Sequence, residues 1–599
     1  METGSEADES AGTTKEAGAG LLEHGDGDAD DESRDTTDFY TVEDVVEQLG
    51  FGWYQLGITL FSGSLWVVEA FEMMIVTILS AAVKCQWDLK PYQEALITTV
   101  VFLGIMLGAP SWGLMADKFG RKWAMLAVNI LISVFGVASS FSPNYYVLLL
   151  LRGIVGFGIG GGILGATYCT EFIPVRWRAV VLFALEFCWV LGTMFEAVLA
   201  LLVMTNIHKH GWNWLLGLSA IPIIISTFVV PFVPESPRYL VCKGRVDKAA
   251  AILSRAAKFN NTRLPQGRLV TLEEKEHHLQ LLKEQQKKVL LSEATPGSCV
   301  TVDTMLEDSA TANESDSDIA MVTGVRYRKE TPDYVATVDD INTDTVEMVS
   351  IVAESDKTEL LSSPSSEDKE TSQHASWIKD MMYRHYHWLL ILFKHGWWKT
   401  TMLLWFIWFS ANILYYGGTL MITALFQYNK HCGLVKDVNT TCHMLGRSDY
   451  ERIVWTAAAE FPGILVVTGL LLVLGRKKSM AINTATIAMF YGLLFICVGK
   501  NILTVFLAGI RGLAAGFFMS VYLYTPEVYP TAIRAFGLSL CSAMSRMGGM
   551  TAPFIAQTIV PYNENIAIGL CLGLGVLASI ACLLLPVETK GRALRDSGS

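Results

Sequence analysis

Residues 152–178 read RGIVGFGIGGGILGATYCTEFIPVRWR, and residues 511–534 read RGLAAGFFMSVYLYTPEVYPTAIR. Both stretches open with Arg-Gly, continue through an apolar run, and close with Glu-x-x-Pro-x-x-x-Arg. The two copies lie about 360 residues apart in a very apolar chain. Such a duplicated unit is typical of membrane proteins that are built from two related halves, and above all of transporters.

The composition also indicates a membrane protein. Hydrophobic residues make up 51% of the chain and charged residues only 17%, against about 25% charged residues in soluble domains. The net charge of −12 comes mainly from residues 1–40 and 235–400, so it says nothing about a substrate. A basic face for nucleic acid is not expected from this balance.

Apolar runs long enough to cross a bilayer as a helix recur along the chain. They predict an all-α membrane protein whose twelve transmembrane helices form two six-helix pseudo-repeats. Spans 1 to 6 are predicted at residues 54–83, 93–116, 122–141, 145–169, 179–205 and 213–233. Spans 7 to 12 are predicted at residues 399–427, 453–474, 480–499, 501–524, 533–560 and 565–587.

The distribution of lysine and arginine predicts which face of the membrane is cytosolic, because short cytosolic loops carry an excess of both. The richer loops contain Lys118, Arg121, Lys122, Arg176, Arg178, Arg476, Lys477, Lys478 and Arg534. Both termini and the long central loop are therefore predicted to lie in the cytosol. The loop at residues 428–452 then lies outside the cell or in a lumen.

That loop carries two cysteines, Cys432 and Cys442, on either side of the glycosylation sequon that begins at Asn439. A cysteine pair and a sequon in one loop predict a Cys432–Cys442 disulfide and a glycan on Asn439. Two free thiols are the alternative. Cysteines in apolar runs, Cys497 among them, are predicted to be small core residues.

Charge and polarity divide the chain into five segments. They are an acidic disordered cytosolic tail at 1–45, a six-helix bundle at 46–235, a cytosolic loop at 236–398, a second six-helix bundle at 399–588 and a cytosolic tail at 589–599. Within the loop, short helices are predicted at 244–260 and 271–291, and disorder at 292–375.

The central loop also carries a short sorting pattern. Asp356, Leu360 and Leu361 match an acidic dileucine signal. Such a signal would be recognised by a clathrin adaptor, which favours a place in a vesicle membrane. A chance match is the alternative.

The loop after span 2, residues 113–122, reads GLMADKFGRK and resembles the signature loop G-x-L-x-D-x-x-G-R-K of the major facilitator superfamily. Asp117 and Arg121 can pair across this turn and cap neighbouring helix ends. The second half keeps only the basic part at residues 475–477, because Leu472 stands where the acid is expected. This loss argues against a symmetric latch.

Four further stretches are similar to the sugar-porter and organic-ion branch of that superfamily, and specifically to the synaptic vesicle 2-related proteins. They are residues 66–74, 93–101, 403–410 and 524–531. The resemblance implies the major facilitator fold and an integral protein of a secretory or synaptic vesicle membrane, or of the plasma membrane. It implies no particular substrate.

Five charged residues inside the predicted spans are candidates for ion coupling or substrate binding. Glu69 and Glu72 lie three residues apart in span 1 and share a helix face, so one of them is predicted to take up a proton. Glu186 and Glu196 lie in span 5, roughly 80° apart around the helix, and are predicted to face one cavity. Arg546 would hold an anionic group or pair with a membrane carboxylate. Structural hydrogen bonding is the alternative for each residue.

A second set of charges would form a cytosolic latch that holds the two halves in one state. Its predicted members are Asp117, Arg121, Arg152, Glu171, Arg178, Arg511, Glu527 and Arg534. Arg152 and Arg511 occupy equivalent positions in the two repeats, which favours a structural role.

These features predict a secondary carrier in the lipid bilayer, which moves a small organic solute by alternating access and is coupled to a proton or another cation. A non-transporting vesicle scaffold or regulatory protein is the alternative. The sequence has no catalytic nucleophile–base pattern, metal-ligand spacing or nucleotide-binding loop, so no enzyme activity, cofactor or metal is expected. A cavity lined by charged and aromatic side chains would favour the carrier, and an apolar interior the scaffold.

Overall fold

The computed structural model describes residues 39–207, 210–265, 267–285 without 273, 276, 279 and 283, 392–393, 397–428, 444–529 and 531–590. Several predicted features lie outside these described residues. They are the residues Asp356, Leu360, Leu361, Cys432, Asn439 and Cys442, and the segment 292–375.

Six long helices follow one another in the first half, each close to its predicted range. Spans 1 to 6 run over Trp53–Trp87, Pro91–Phe119, Arg121–Ser140, Tyr145–Thr170, Val175–Asn206 and Gly211–Phe232. Span 4 is interrupted by a turn at residues 160–162. Because the glycines at this turn have no side chains, a neighbouring helix can approach the backbone there.

The second half repeats this arrangement. Spans 7, 8, 10 and 12 run over Trp398–Gln427, Arg447–Leu474, Lys500–Val528 and Glu564–Leu584. Span 9 is the helix Arg476–Leu493. Span 11 begins as the helix Thr531–Pro553 and continues through a π-helical turn at Phe554–Ile559.

Ten of these helices are long and apolar enough to cross a membrane, so the predicted count of twelve is confirmed for ten. Spans 9 and 11 are helical where the sequence predicts them. Span 9 opens with three consecutive basic residues, and span 11 carries Arg534 and Arg546. These charges make the two helices more polar than the other ten.

The two repeats share a close helix contact that depends on glycine. In the first half a Cβ on Gly156 of span 4 would overlap the backbone of Val101 in span 2. In the second half a Cβ on Gly512 of span 10 would overlap the backbone of Ala459, where span 8 bends. Small residues allow this approach between membrane helices. It brings span 4 against span 2 and span 10 against span 8.

A small helical layer covers the end of the first half. The helix Val42–Leu49 buries its apolar face against the helices Pro237–Cys242 and Val246–Phe259. Strands Phe39–Tyr40 and Arg268–Leu269 pair in parallel beside them. The helix predicted at 244–260 is therefore confirmed. The disordered tail predicted over 1–45 is wrong for residues 39–45, where Val42 and Val45 are buried in this layer.

Candidate functional site

A buried ion pair joins spans 1 and 4 in the first half. Arg152 Nη1 lies 2.9 Å from Glu72 Oε2, and the two side chains are 1% and 2% exposed. Both charges are therefore shielded from solvent. In the protein interior, each charge is stable only beside its partner. The candidate coupling residue Glu72 thus has a defined electrostatic partner.

Glu196 of span 5 lies beside this pair. Its carboxylate accepts a hydrogen bond from Ser219 Oγ of span 6 at 2.8 Å and interacts electrostatically with both Glu72 and Arg152. Glu196 is fully buried, whereas Glu186 is half-buried and interacts with Glu69 and Glu460. Glu196 thus lies against span 6, and that the two acids face one cavity stays a prediction.

A second buried ion pair occupies the second half. Arg511 Nε lies 2.6 Å from Glu460 Oε1, and the two side chains are 1% and 0% exposed. Tyr415 Oη donates a hydrogen bond to the same carboxylate oxygen at 3.0 Å. The arginines of the two pairs come from equivalent spans, 4 and 10. The acids come from spans 1 and 8, which are not equivalent.

The prediction that Arg152 and Arg511 belong to the latch is therefore wrong. Arg152 lies 19 residues before Glu171 along span 4, which is roughly 28 Å at the rise of an α-helix. The repeated motif is long enough to place its two ends at different depths in the membrane. Its arginine contributes to the buried site and its glutamate to the end of the span.

Glu460 is a site residue that the sequence analysis missed. It is the only charged residue between positions 453 and 474 of the chain. A charge in an apolar span is itself a signal of function. That signal is present in the sequence of span 8, but the repeated motif from which the other candidates were predicted lies in spans 4 and 10.

The second ion pair lies where the two halves meet. Thr193 Oγ1 of span 5 donates to Glu460 Oε2 at 3.4 Å, and Trp189 Nε1 donates to Tyr415 Oη at 3.2 Å. Arg511 also contacts the sulfur of Met74 in span 1 at 3.6 Å. Residues of the first half thus contact the charged pair of the second half directly.

Glu69 faces the same neighbouring helix as Glu72 but has a different environment. A Cβ on Gly162, at the interruption of span 4, would overlap the Glu69 carboxylate. Arg546 of span 11 interacts electrostatically with Glu69. Arg546 was predicted to pair with a membrane carboxylate, and the structure places it near Glu69 while Arg152 binds Glu72.

Aromatic side chains surround these charges from both halves. Trp66 and Trp189 pack edge to face with ring centroids 6.3 Å apart. Phe102 packs against Tyr416 across the interface at 4.8 Å, and Tyr416 contacts Tyr415 at 4.9 Å. The interior between the halves is therefore both charged and aromatic.

The remaining predicted latch residues lie at the ends of spans that carry the excess of lysine and arginine, which we call the basic face. Arg121 bridges Asp117 and Glu171, each at 3.2 Å. In the second half Arg476 binds Glu527 at 3.2 Å. The same charge contact thus holds the span 2–3 turn to span 4 and the span 8–9 turn to span 10.

A second acid completes this contact in both halves. Glu235 accepts a hydrogen bond from the backbone N–H of Lys122 at 3.1 Å. Glu588 accepts from the backbone N–H groups of Arg476 and Lys477 at 2.7 and 3.1 Å. The two turns are therefore capped in the same way despite the lost acid at Leu472, since the acid that caps each turn comes from the end of span 6 or span 12.

Arg178 and Arg534 play a local role. Arg178 Nε donates to the carbonyl of Ile173 at 3.1 Å, and Arg534 Nε donates to the carbonyl of Tyr529 at 3.4 Å. Each arginine thus ties the start of one span to the turn that precedes it. A latch between the halves stays a prediction, because the ion pairs described here join elements within one half.

Replacing Gly120 by alanine should lower the free energy of unfolding by about 1–3 kcal/mol. Gly120 has a φ of 106°, and a Cβ would lie 2.9 Å from the Glu235 Cδ. Gly113 in the same loop motif has open space around it and provides the matched control. Thermal unfolding of the two purified variants checks the prediction. Equal losses of stability in Gly120→Ala and Gly113→Ala would contradict it.

Two cysteines lie at the face opposite the basic face. Cys85, near the end of span 1, and Cys497, between spans 9 and 10, are disulfide-bonded. The prediction that Cys497 is a small core residue is wrong. Cys432 and Cys442 lie outside the described residues, so their pairing stays a prediction.

Comparison with known proteins places these features in a family. Residues 61–299 match the family model "Sugar (and other) transporter". The chain is 34% identical over 569 residues to the synaptic vesicle 2-related protein of Pongo abelii, covering 94% of this chain and 83% of the relative. It is 33% identical over 561 residues to the organic cation/carnitine transporter 7 of Arabidopsis thaliana, covering 93% and 96%.

The fold matches solved structures of a bacterial transporter. The xylose transporter XylE from E. coli, in a partially occluded inward-open conformation, superposes with a TM-score of 0.55 at 14% identity. The match covers 90% of this chain and 100% of that protein. At this low identity the similarity concerns the fold alone.

Proposed function

We propose that this chain, which belongs to the major facilitator superfamily and within it to the synaptic vesicle 2-related family, is a secondary-active carrier of a small organic solute. The observation that carries the proposal is the polar interface between the halves, where Thr193 of one half contacts the Glu460–Arg511 pair of the other. Burying charge is costly, and a scaffold would be served by an apolar interface.

The contacts between the halves support alternating access. Toward the face opposite the basic face, Gln557 Nε2 donates to Ser80 Oγ at 2.7 Å and Gln427 Nε2 to the carbonyl of Ala81 at 3.2 Å. Phe102 also packs against span 11 at Gly549. These contacts join the two halves near that face. A carrier has to break them to expose its centre on that side.

Coupling to a proton is assigned to Glu72. Its pair with Arg152 is buried between spans 1 and 4, and Glu196 also interacts electrostatically with Arg152. A proton on Glu72 would free Arg152 to change partner. Because Met74, two residues further along span 1, contacts Arg511, a shift of span 1 would reach the second ion pair.

The basic face is proposed to be cytosolic. The excess of lysine and arginine supports this orientation, and so do the disulfide-bonded Cys85 and Cys497 at the other face, because disulfides persist in oxidising compartments. Both termini then lie in the cytosol. A vesicle membrane is proposed as the location from the relatives' name, and co-fractionation with other membranes but not with vesicles would contradict it.

Asn439 should carry a glycan, whereas Asn260 should not. Asn439 lies in the loop between spans 7 and 8 on the proposed non-cytosolic side. Asn260 lies after the helix Val246–Phe259, where its side chain bonds the backbone N–H of Tyr54 at 3.1 Å and Gln55 at 2.7 Å. Peptide mapping after glycosidase treatment tests both sites. A glycan on Asn260 with none on Asn439 would overturn the orientation.

An untargeted uptake screen tests the proposed function. Purified protein is reconstituted into liposomes with an imposed proton gradient, and the solutes that accumulate are identified by mass spectrometry against protein-free liposomes. We expect at least one small organic solute to accumulate and to be lost when the gradient is collapsed. Protein that is folded and correctly inserted but accumulates nothing from a broad metabolite extract would instead favour the scaffold.

A further inference from the structure

Two cysteines of the described chain are disulfide-bonded, and the contacts around them indicate where those bonds lead. Cys85 lies near the end of span 1 in the first half, and Cys497 lies between spans 9 and 10 in the second half. The other cysteines in the described part of the chain are free; they are Cys169, Cys188, Cys242, Cys541, Cys571 and Cys582. Cys85 and Cys497 therefore bond either each other or cysteines outside the described residues.

The membrane limits the choice among those further cysteines. Cys299 belongs to the central loop, which joins spans 6 and 7 at the basic face. Cys432 and Cys442 belong to the loop that leaves the other end of span 7, on the same face as Cys85 and Cys497. Four cysteines on one face allow three different sets of two disulfides.

The end of span 7 lies beside Cys85. Gln427 Nε2 donates a hydrogen bond to Cys85 Sγ at 3.1 Å and another to the carbonyl of Ala81 at 3.2 Å. The described part of span 7 ends at Tyr428, four residues before Cys432. Because four residues extend over at most about 14 Å, Cys432 is tethered close to Cys85.

The start of span 8 lies beside the link that carries Cys497. Lys500 Nζ lies 3.9 Å from Asp449 Oδ1, and a side-chain hydrogen bond of 3.4 Å joins spans 8 and 10 at the same end. Cys497 precedes Lys500 by three residues, and Cys442 precedes Met444, where the described chain resumes, by two. Two residues extend over at most about 7 Å, so Cys442 is tethered close to this end of span 8.

We propose that Cys85 bonds Cys432 and that Cys442 bonds Cys497. In each pair the residues near one cysteine contact the residues near the other, whereas Cys85 and Cys497 lie beside opposite ends of the loop. Each bond forms when two thiols lose two protons and two electrons to a disulfide oxidant such as oxidised glutathione, which becomes two thiols. The loop would then be fastened covalently to both halves.

The two bonds have different consequences for the carrier. Cys442–Cys497 connects elements of the second half, but Cys85–Cys432 connects the first half to the second. It lies on the face where Gln557 contacts Ser80 across the interface. The bond therefore limits how far the ends of spans 1 and 7 separate when the centre is exposed on that side. This consequence rests on the proposed carrier function, whereas the pairing itself does not.

Peptide mapping of the full-length protein tests the pairing directly. Free thiols are alkylated first, the glycan is removed enzymatically, and trypsin digestion without reductant is followed by mass spectrometry. Trypsin cleaves after Lys436, between the two loop cysteines, so each of them lies on its own peptide. We expect the peptide of Cys432 to be linked to that of Cys85, and the peptide of Cys442 to that of Cys497.

Every other mapping result overturns the assignment. A Cys85–Cys497 bond together with Cys432–Cys442 would show that the loop closes on itself and is not fastened to the halves. Cys85–Cys442 with Cys432–Cys497 would show that the loop ends cross. Four alkylated thiols in folded protein would show that no disulfide forms on this face.

A second experiment tests the covalent link between the halves. A recognition sequence for a site-specific protease is inserted in the central loop, and the cleaved protein is run on a denaturing gel without reductant. We expect the two halves to migrate together and to separate when reductant is added. Cys85→Ser should separate them without reductant, whereas the matched control Cys497→Ser should keep them joined. Separation of the unsubstituted halves without reductant, or in both variants, would contradict the proposal.

Failure of this inference is distinguishable from failure of the proposed function. Accumulation of a solute in the uptake screen, with a different set of disulfides, would refute the pairing and leave the carrier intact. The proposed pairs without accumulation of any solute would support the pairing and refute the carrier.

Discussion

Methionine in place of Arg511 should lower the free energy of unfolding by about 3–5 kcal/mol, because Glu460 would keep a buried charge without its partner. The two side chains are at most 1% exposed and lie 2.6 Å apart. The hydroxyl of Tyr415 would remain within reach of the carboxylate, but one neutral donor replaces only a small part of the interaction with a guanidinium. Thermal unfolding of the protein in detergent, followed by tryptophan fluorescence, measures the loss.

Two controls identify the cause of that loss. The double variant Arg511→Met/Glu460→Gln should recover much of it, since no unpaired charge remains. Arg447→Met removes the exposed pair between Arg447 and Glu451 in the same half, with side chains 78% and 49% exposed, and should cost about 0–1 kcal/mol. Similar losses for Arg511→Met and Arg447→Met would show that burial of the pair does not determine its contribution.

Much of the fold follows from the sequence, because membrane helices are specified by length and hydropathy. Every long helix in the described part of the two halves lies at its predicted span. Spans 9 and 11 show the limit of that rule, since their charges make them less apolar than the membrane alone would require. Those charges are explained by contacts: Arg476 binds Glu527, and Arg546 lies near Glu69.

The chemical type of the site was predictable, but its pairing was not. A carboxylate or guanidinium in an apolar span is evident in a sequence, as with Glu72 and Glu196. Which acid meets which arginine depends on helix rotation and on the approach of distant spans. Arg152 therefore pairs with Glu72, 80 residues away in sequence, rather than acting in the latch suggested by the repeated motif.

The predicted latch residues show the opposite case. Here the turns of the two repeats are more similar in structure than they are in sequence. The second turn lacks an acid near Leu472, yet Arg476 and Glu527 reproduce the contact between Arg121 and Glu171. The caps from Glu235 and Glu588 come from residues more than 100 positions further along the chain. A comparison of loop motifs alone does not include them.

Glutamine in place of Glu72 should abolish gradient-driven accumulation of the solute found in the uptake screen, while exchange of that solute across the membrane continues. The substitution keeps the shape of the side chain but removes its proton-dependent charge. Arg152 would then have lost its ion pair at every pH, so proton binding could no longer change its partner. Exchange requires only that the two halves reorient with solute bound, which the contacts of the second half still permit.

Proteoliposomes with an imposed pH gradient measure accumulation, and liposomes preloaded with unlabelled solute measure exchange. Glu94→Gln is the matched control, because Glu94 also forms a buried pair, with Lys84 at 2.7 Å, but near the face opposite the basic face. Accumulation is compared per amount of folded protein, and on that basis Glu94→Gln should retain coupling to the gradient. Glu69→Gln should keep the pH dependence of accumulation, since Glu69 is not the acid that pairs with Arg152. If Glu72→Gln accumulates solute with the pH dependence of the parent protein, the buried pair with Arg152 is structural and proton coupling has to be assigned to another carboxylate.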